Sequence, residues 1–309
     1  MQSPNIDISA QIKTQARSLG FDACGFAAAV PVDDKAVAQY DRWLNQGHNG
    51  CMQWASNHPD LRRDPSQLLD GAKTIISLAL NYYPARFQPD DALRVAYYAY
   101  GRDYHEVMRE KMTALSRFIK EIAPSAQCRP CVDSAPVRER YWAQRAGIGF
   151  IGRNNCLIIP GKGSYFFLGE IITALQLPPD EPCTPSCDNC GKCLKACPSG
   201  ALDTDGAADC TRCLSCLLIE DHSDTLPSWV PSAAGNRIVG CDECQRCCPH
   251  NANALPTTED DFAMTDAVAT LTRERALAMT SGDFRRAFAH SAISRLRYKT
   301  FMRNAKQAK

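Results

Sequence analysis

The cysteine pattern in the second half of this chain constrains its fold more than any other feature of the sequence. Eight of the seventeen cysteines fall into two blocks, each ending in a cysteine followed by proline. The first block holds Cys187, Cys190, Cys193 and Cys197, and the second holds Cys241, Cys244 and Cys248 behind an upstream lead cysteine. Two-residue spacers let three thiolates bind one [4Fe–4S] cluster, while the cysteine before proline binds the other cluster. The pattern predicts a ferredoxin-like region with two [4Fe–4S] clusters.

The interlocking blocks also predict which cysteines share a cluster. One cluster takes Cys187, Cys190, Cys193 and Cys248, and the other takes Cys197, Cys241, Cys244 and the lead cysteine. Cys210, Cys213 and Cys216 all fit the lead position, and spacing alone does not choose among them. Cys247, beside Cys248, is a smaller ambiguity. A zinc ribbon or a disulfide framework is the alternative, but neither explains a doubled pattern with proline after each last cysteine.

The remaining cysteines are scattered along the chain. A lone buried cysteine usually packs as a small hydrophobic residue, which is the role we expect for most of them. One C-x-x-C pair can be redox-active or bind a metal, although no second pair lies near it in the sequence. That pair is Cys128 and Cys131, and the others are Cys24, Cys51, Cys156 and Cys183.

Composition predicts a soluble protein of a reducing compartment. A chain of 309 residues has room for about two domains, and its net charge of +1 gives no global attraction for a polyanion. Residues 1–5 lack the features of a secretory signal, and the longest apolar stretch, residues 75–80, is too short to span a bilayer. Free thiols and oxygen-sensitive clusters favour the cytoplasm, where we expect a monomer with no membrane attachment.

The periodicity of apolar residues divides the chain into three parts. Helical spacing marks residues 8–19 and 108–122, whereas residues 21–30, 74–82, 157–159 and 165–175 have the composition of strands. We therefore predict an α+β fold, with a mixed α/β sheet domain over residues 1–177. A ferredoxin-like domain with the two clusters follows over residues 178–255, and a short helical, basic segment over residues 256–309.

Five motifs bring a known family into view. They are YAYGRDYH at 98–105, VDSAPVRER at 132–140, RAGIGFIGRN at 145–154, GSYFFLGE at 163–170 and GCDECQ at 240–245. Together they closely resemble epoxyqueuosine reductase, the cobalamin-dependent iron–sulfur enzyme that completes queuosine in transfer RNA. The resemblance covers about residues 5–304. It also favours Cys213 as the lead cluster ligand, because the family places one cysteine before a Ser-aromatic-Leu stretch, which matches Cys213-Leu214-Ser215.

The resemblance implies reduction of an epoxide to an alkene on the wobble base of the anticodon. Two electrons reach a bound cobalamin through the clusters from an external electron donor, and water leaves. The departing oxygen needs a general acid, and the matching motif residue is Asp133. Because only a protonated acid can serve, we expect Asp133 to be partly buried with a raised pKa. The alternative role for Asp133 or Ser134, just before Pro136, is that of a helix N-cap.

The expected cobalamin contacts come from the same motifs. The spacing of Gly147, Gly149 and Gly152 suggests backbone pressed against a ligand, although a tight helix–strand turn explains it equally well. Aromatic residues near position 100 contact either the cofactor, a base or the protein core. The expected contacts are Tyr98, Ser134, Arg138, Gly152, Arg153, Asn155, Ser164 and Phe167.

Transfer RNA binding is expected at the basic end of the chain. Residues 273–309 contain ten Lys or Arg against two acidic residues, and such a segment can neutralise phosphates or place cations at helix ends. Many family members continue past the Arg303-Asn304 motif into helical repeats, whereas this chain stops shortly after it, so we expect docking of the anticodon stem-loop without them. The candidate phosphate contacts are Arg285, Arg286, Arg295, Arg297, Lys299 and Arg303.

Two other functions share parts of this pattern. A reductive dehalogenase also combines a corrin with two clusters, but those enzymes are typically exported behind a twin-arginine signal, which the sequence lacks. A plain electron-transfer protein would need neither the Asp133 motif nor the glycine-rich stretch around Gly149.

Overall fold

The computed structural model describes residues 7–184, 187–203 and 207–309, so the N-terminal residues 1–5 considered above lie outside the described part. The fold is of the predicted α+β class. Its strands are β1 (Ala23–Ala28), β2 (Thr74–Asn81), β3 (Arg94–Val95), β4 (Cys128–Cys131), β5 (Phe150–Ile151), β6 (Leu157–Ile158), β7 (Phe166–Thr173) and β8 (Arg237–Val239). Its helices are α1 (Ile8–Ser18), α2 (Asp34–Asn45), α3 (Pro59–Arg63), α4 (Tyr104–Ile122), α5 (Glu139–Arg145), α6 (Lys192–Ala196), α7 (Leu214–Ile219), α8 (Val230–Ala234), α9 (Glu243–Arg246), α10 (Asp266–Ala269), α11 (Arg273–Ala278), α12 (Ser281–Ala287) and α13 (Tyr298–Gln307). None of these helices has the length and apolar character needed to cross a membrane.

A four-stranded sheet with the order β1-β2-β7-β4 forms the centre of the first domain. Each neighbouring pair in it is antiparallel. Strand β2 is an inner strand of this sheet, as its continuous apolar run predicted. Its side chains are apolar on both sides because helices cover both faces of the sheet. Successive side chains point to opposite faces, so Ile76 packs on one side and Ile75 on the other, each fully buried.

Helices α1 and α4 cover one face of the sheet and α5 covers the other. Along α4, the predicted apolar stripe is fully buried from Met108 to Ile119, and its last residue, Ile122, is partly buried. Helix α4 approaches β7 closely at Gly169, where an added Cβ would come within 2.8 Å of the Met112 sulfur. On the opposite face, Trp142 of α5 is 1% exposed. Burial of one such aromatic side chain contributes about 2–3 kcal/mol.

The C-terminal helices form a second core that joins the cluster domain to the sheet domain. Phe284, Phe288 and Phe301 are buried together in this core. Strand β8, which directly precedes the second cysteine block, pairs in parallel with β3. This pairing places the motif at 98–105 next to the motif at 240–245.

Arg303 has a different role from the one its sequence context suggested. The guanidinium is 5% exposed, and Nη1 lies 3.1 Å from an Asp221 oxygen. It also donates to the carbonyl oxygens of Leu217 and Ser223, so it satisfies carbonyls at and beyond the end of α7. The expectation that Arg303 contacts RNA phosphates is therefore wrong, because the side chain is enclosed by protein.

Replacing Arg303 with methionine is expected to lower the free energy of unfolding by about 3 kcal/mol, since the partly buried Asp221 and two carbonyls lose their buried cationic partner. Chemical denaturation of the anaerobic, cluster-loaded protein measures this change. The matched control is Arg285→Met, because Arg285 is exposed and surface changes stay within about 0.5 kcal/mol. Unchanged unfolding combined with weaker RNA binding would restore the phosphate role of Arg303.

Candidate active site

The first cluster site is formed by the loop around Cys187 and by Cys248. Cys187, Cys190, Cys193 and Cys248 line one small cavity, together with Arg153 and His250. Burial raises the pKa of Cys248, and the nearby Cys193, Cys187 and Cys190 raise it further, because like charges in one place disfavour ionisation. The proximity of the four thiols supports the predicted ligand set.

The second cluster site includes the lead cysteine, for which the sequence left Cys210, Cys213 and Cys216 as candidates. Cys213 caps the start of α7. Burial raises the pKa of Cys241, and Cys213 contributes to this shift, so the two thiols are neighbours. Cys210 is buried, and its thiol contacts the carbonyl of Ala208. Both Cys210 and Cys213 interact with Cys216, but the charge of Cys213 also raises the pKa of the cluster cysteine Cys244. This arrangement favours Cys213 as the ligand.

Two short helices bring the cysteine blocks together. Helix α6 contains Cys193, ends just before Cys197 and packs against α9, which contains Cys244. The sulfur of Cys197 accepts a hydrogen bond from the backbone N–H of Ala201 at 3.3 Å, an interaction of the kind that tunes cluster potentials. In the described chain, no three ligating side chains converge closely enough to hold a single metal ion.

The cysteines outside the blocks behave mainly as packing residues. Cys128 and Cys131 lie three positions apart in β4, so their side chains point to opposite faces of the sheet. Burial raises the pKa of Cys131 to about 12, which keeps this thiol protonated and unreactive. Cys156 is the exception that sequence reasoning missed, because its thiol contacts the cluster cysteine Cys244.

An open cavity of about 750 Å³ lies where the sheet domain meets the second cluster site. Its size falls in the range of cofactor and substrate sites. Cys241 belongs to its wall, so the second cluster site borders the cavity directly. The other lining residues are Trp54, Asn57, His58, Arg62, Tyr82, Ala96, Tyr98, Tyr104, Asp133, Ser134, Pro136, Glu139, Arg140, Phe166, Phe167, Leu168, Ser215, Ile219, Glu220, Asp242 and Gln245.

Asp133 is the cavity-side end of a chain of hydrogen-bonded, charged side chains. Its Oδ2 lies 2.7 Å from Nε2 of His105, and Nδ1 of His105 lies 2.6 Å from Oδ1 of Asp103. The other oxygen of Asp103 accepts a hydrogen bond from Arg295 at 2.9 Å. Tyr104 stacks on the His105 ring with centroids 3.9 Å apart. The imidazole is therefore fixed in position between two carboxylates.

The two carboxylates determine where the proton resides. Only the imidazolium form of His105 can donate to both Asp103 and Asp133 when these are ionised. Burial lowers the pKa of His105, but its hydrogen bonds to Asp103 and Asp133 and their charges outweigh burial, so the pKa lies above its ordinary value. The site thus holds an ionised Asp133 beside a protonated His105.

The expected raised pKa of Asp133 is wrong. Desolvation does raise it, but the hydrogen bond and positive charge of His105, together with a hydrogen bond from Tyr104, bring the pKa below its ordinary value. The side chain also remains 55% exposed, so it is less enclosed than expected. The acidic proton is carried by His105 instead.

The N-cap alternative for Asp133 and Ser134 is also wrong. Helix α5 begins only at Glu139, and its N-cap is Arg138, which makes no side-chain capping hydrogen bond. The backbone of Asp133 has φ of +50°, a left-handed conformation that is uncommon outside glycine and that costs free energy. Such strain is often found in residues positioned for function.

Three of the eight expected cofactor contacts line the cavity, namely Tyr98, Ser134 and Phe167. Tyr98 is partly buried, and burial raises the pKa of its hydroxyl. Phe167 stacks face to face on Tyr104, with ring centroids 4.2 Å apart. These aromatic residues therefore belong both to the core and to the cavity wall.

The other five expected contacts lie elsewhere in the fold. The guanidinium of Arg138 lies over the rings of Tyr40 and Tyr141, and Arg153 lines the first cluster site. The remaining three contact other protein groups. Gly152 packs on Ile158, and the carbonyl oxygen of Asn155 accepts a hydrogen bond from Arg140. Ser164 is hydrogen-bonded to Asn251 and Gln245.

The glycine spacing is explained by packing. At Gly149, an added Cβ would lie 2.4 Å from the carbonyl oxygen of Ile158, so the β5–β6 hairpin requires glycine there. Gly147 has φ of +72° and abuts the carbonyl of Glu181. The tight-turn interpretation therefore accounts for both glycines.

Sequence reasoning missed most of the charged residues around Asp133. Asp103 and His105 lie in the motif at 98–105, and their Asp-x-His spacing was the signal that could have identified them. Glu139 and Asp242 also line the cavity, and burial raises the pKa of Asp242 to about 7. No local pattern identifies such residues, because their burial depends on contacts between distant segments.

The fold and the site together define an iron–sulfur oxidoreductase with a cofactor-sized cavity beside its second cluster site. Two family profiles match the chain: "Epoxyqueuosine reductase QueG, DUF1730" over residues 62–134, and "4Fe-4S double cluster binding domain" over residues 186–251. The chain is 38% identical to the epoxyqueuosine reductase of Gloeobacter violaceus, over 97% of this chain and 95% of that protein. It is 35% identical to that of Vibrio cholerae, over 95% of this chain and 80% of that protein. The chain belongs to the epoxyqueuosine reductase family.

Solved structures agree with this assignment. A crystal structure of an epoxyqueuosine reductase with an epoxyqueuosine-modified tRNA-Tyr stem loop superposes with a TM-score of 0.86 at 32% identity, covering 97% of this chain and 80% of that one. The Streptococcus thermophilus enzyme gives 0.89 at 30% identity with the same coverage. The Bacillus subtilis enzyme, described with its catalytic aspartate loop swung out of the active site, gives 0.85 at 32% identity, again with that coverage.

Proposed function

We propose that this chain reduces epoxyqueuosine to queuosine at the wobble position of transfer RNA. The observation that carries the proposal is the Asp133–His105 pair, which lies on the wall of a cavity that Cys241 also lines. A proton source and an electron source thus face the same space. The test is nucleoside mass spectrometry of epoxyqueuosine transfer RNA after anaerobic incubation with the loaded enzyme and a strong reductant. Loss of one oxygen from the modified base is the expected result, and no loss with both clusters and cobalamin bound would overturn the proposal.

The positions of the cysteine blocks suggest the direction of electron flow. Cys190 of the first block is exposed, so an external donor can approach the first cluster. Cys241 of the second block borders the cavity. Electrons therefore enter at the first cluster and reach the substrate from the second, with ligands Cys213, Cys241, Cys244 and Cys197.

The cavity fits cobalamin in size and in the chemistry of its walls. Tyr98, Phe167 and Ile219 provide apolar surface for the corrin face, and Ser134 and Gln245 provide polar groups for its amides. When bound, cobalamin supplies a low-valent cobalt centre for cleavage of the carbon–oxygen bond. Asp133 is placed to act on the departing oxygen.

The protein residues supply the proton. The imidazolium of His105 passes its proton to Asp133, which passes it to the departing oxygen as the general acid. Asp103 and Arg295 hold the imidazole in orientation through the hydrogen bonds described above. The loop swung out in the Bacillus subtilis enzyme suggests that the Asp133 loop of this chain also moves during turnover.

The rate of a single turnover is expected to fall as the pH rises through the raised pKa of His105. The sign follows from the proton source, because the imidazolium is present below that pKa and lost above it. Rapid-quench assays across a pH series measure the effect. The variant His105→Gln should lower the rate by roughly 10²-fold and remove the fall of the rate with rising pH. An unchanged pH profile in His105→Gln would contradict the role of His105 as the proton source.

RNA binding is expected at the exposed cations of the C-terminal segment. Arg285, Arg297 and Lys299 are exposed, and Arg295 links the same segment to Asp103 at the active site. Converting the three exposed residues to glutamine should weaken stem-loop binding and reduce the slope of log K against log salt by about 2–3.

Fluorescence anisotropy at several salt concentrations tests this proposal. The control is Lys120→Gln, an exposed cation in the last turn of α4, about 22 Å along the helix from His105 at 1.5 Å per residue. A salt slope unaffected by the triple change would contradict the proposed RNA surface.

We further propose that residues 1–177, 178–255 and 256–309 act as catalytic, electron-transfer and RNA-binding parts of a cytoplasmic monomer. The seventeen cysteines, all within the described residues, form no disulfide, which fits a reducing compartment. The exposed large apolar residues within the described chain come from separate segments: Val30, Trp54, Phe87, Trp229 and Leu255. Single exposed apolar residues are common on monomeric proteins and need no partner to cover them.

A further inference from the structure

A row of carboxyl groups extends from the cavity into the sheet domain. Asp133 and Glu139 line the cavity, and Glu170 of β7 is fully buried behind them. Helix α5, which begins at Glu139, packs directly on β7. Oε1 of Glu139 and Oε2 of Glu170 are buried without a hydrogen-bond partner among the described residues. The mechanism above uses only the first of these three carboxyl groups.

The surroundings keep the two glutamates protonated. Burial, with the charge of Asp133, raises the pKa of Glu139 to about 8, against the opposing charge of Arg140. Burial and the charge of Glu139 raise the pKa of Glu170 further above its ordinary value. Cys131 also faces the pair and stays a neutral thiol. A buried carboxylate with one oxygen unpartnered is costly, so both glutamates are neutral acids near neutral pH.

Glu139 is also in contact with the backbone of the catalytic loop. The Glu139 carboxyl lies beside the backbone N–H of Asp133, an interaction that opposes part of the rise in the Glu139 pKa. Asp133 is the residue with the left-handed φ of +50°, and the neighbouring carboxyl helps to hold this conformation, which costs free energy. Glu170 is anchored differently, through a hydrogen bond from Ser77 at 3.2 Å, and does not line the cavity.

The stoichiometry of the reaction requires a second proton. Reduction of an epoxide to an alkene breaks two carbon–oxygen bonds, forms the carbon–carbon double bond and releases the oxygen as water, which takes two electrons and two protons. The clusters carry the electrons from a low-potential donor. The imidazolium of His105 supplies one proton through Asp133. The Asp133–His105 pair therefore needs a second proton from another group before water can leave.

We propose that Glu139 is a positioning residue that holds the Asp133 loop and stores the second proton of the reaction. After the first proton leaves, the Glu139 carboxylic acid returns one to the Asp133–His105 pair and becomes a carboxylate. Solvent entering the open cavity then protonates it again. Glu170 stays neutral throughout. This inference rests on the proposed function.

The test compares two isosteric changes in the cobalamin- and cluster-loaded enzyme. Glu139→Gln keeps an oxygen beside the Asp133 N–H but carries no transferable proton, whereas Glu170→Gln is the matched control. In single turnovers with an epoxyqueuosine stem-loop, Glu139→Gln should react about tenfold or more slowly, and Glu170→Gln at nearly the original rate. A wild-type rate in Glu139→Gln would overturn the inference.

Infrared spectroscopy of the resting enzyme gives a readout that does not depend on turnover. The C=O band of a protonated carboxyl should be present at neutral pH, disappear as the pH rises through about 8, and be missing in Glu139→Gln but not in Glu170→Gln. Absence of this band would overturn the inference while leaving the proposed function intact. If the wild-type enzyme showed the titrating band but did not convert epoxyqueuosine, the proposed function would be refuted. Glu139 would then be a protonated acid that does not deliver its proton to this reaction.

Discussion

Replacing Asp133 with asparagine is expected to lower the rate of epoxyqueuosine reduction by about 10²–10⁴-fold. Asparagine has nearly the same shape and its side-chain oxygen can still accept from His105, but it cannot pass a proton from the imidazolium to the departing oxygen. The side chain bonds with His105 and Tyr104, which are neither cluster ligands nor among the exposed cations Arg285, Arg297 and Lys299, so cluster content and RNA binding should be unaffected. Single-turnover nucleoside mass spectrometry measures the rate, and visible spectra check the clusters.

The neighbouring Ser134 supplies the control for this experiment. Ser134 also lines the cavity, where its hydroxyl donates to the carbonyl of Val132 at 3.3 Å, but a hydroxyl is too weak an acid to protonate the departing oxygen and is at most one polar contact for cobalamin. Ser134→Ala should therefore change the rate much less than Asp133→Asn. Full turnover by Asp133→Asn, with clusters and cobalamin intact, would show that another group protonates the oxygen.

Replacing Cys213 with serine is expected to remove one of the two clusters and to abolish reduction. The site with Cys241 and Cys244 would keep three of its four ligands, and electrons could no longer reach the cavity from the first cluster. Roughly half of the bound iron should be lost, because each site holds one [4Fe–4S] cluster. Iron analysis and electron paramagnetic resonance of the anaerobic protein measure the loss.

Cys210→Ser distinguishes the two candidates for the lead position. Cys210 is buried and contacts Cys216 and the carbonyl of Ala208, so serine there should leave both clusters in place. If Cys210→Ser lost a cluster while Cys213→Ser kept both, the assignment of the lead ligand would be reversed. Loss in both variants would indicate that the segment 210–216 folds only around the cluster.

Much of the fold could be predicted from local patterns. The continuous apolar run of β2 correctly indicated an inner strand, and the apolar spacing in α4 correctly indicated one buried face. Such predictions succeed because the periods of strands and helices are properties of the local backbone. The cluster domain was predictable for a related reason, since cysteine spacing reflects the geometry of a cluster.

The candidate site was predictable only in part. The motif resemblance identified Asp133, and Tyr98, Ser134 and Phe167 do line the cavity. Its protonation state was predicted incorrectly, because His105 reaches Asp133 from α4, 28 positions earlier in the chain. A pKa depends on charges that are close in space, and the sequence alone does not give their distances.

The sequence by itself determined the chemical inventory of this protein: eight cysteines spaced for two clusters, an aspartate in a family motif and a basic C-terminal segment. Only the tertiary structure decided what the charged residues do. It buried Arg303 against Asp221, placed Asp103 and His105 behind Asp133, and set Glu139 beside Glu170. The physical reason is that spacing along the chain specifies which groups can share a cluster, whereas charge state and access to solvent depend on burial and on partners from distant segments.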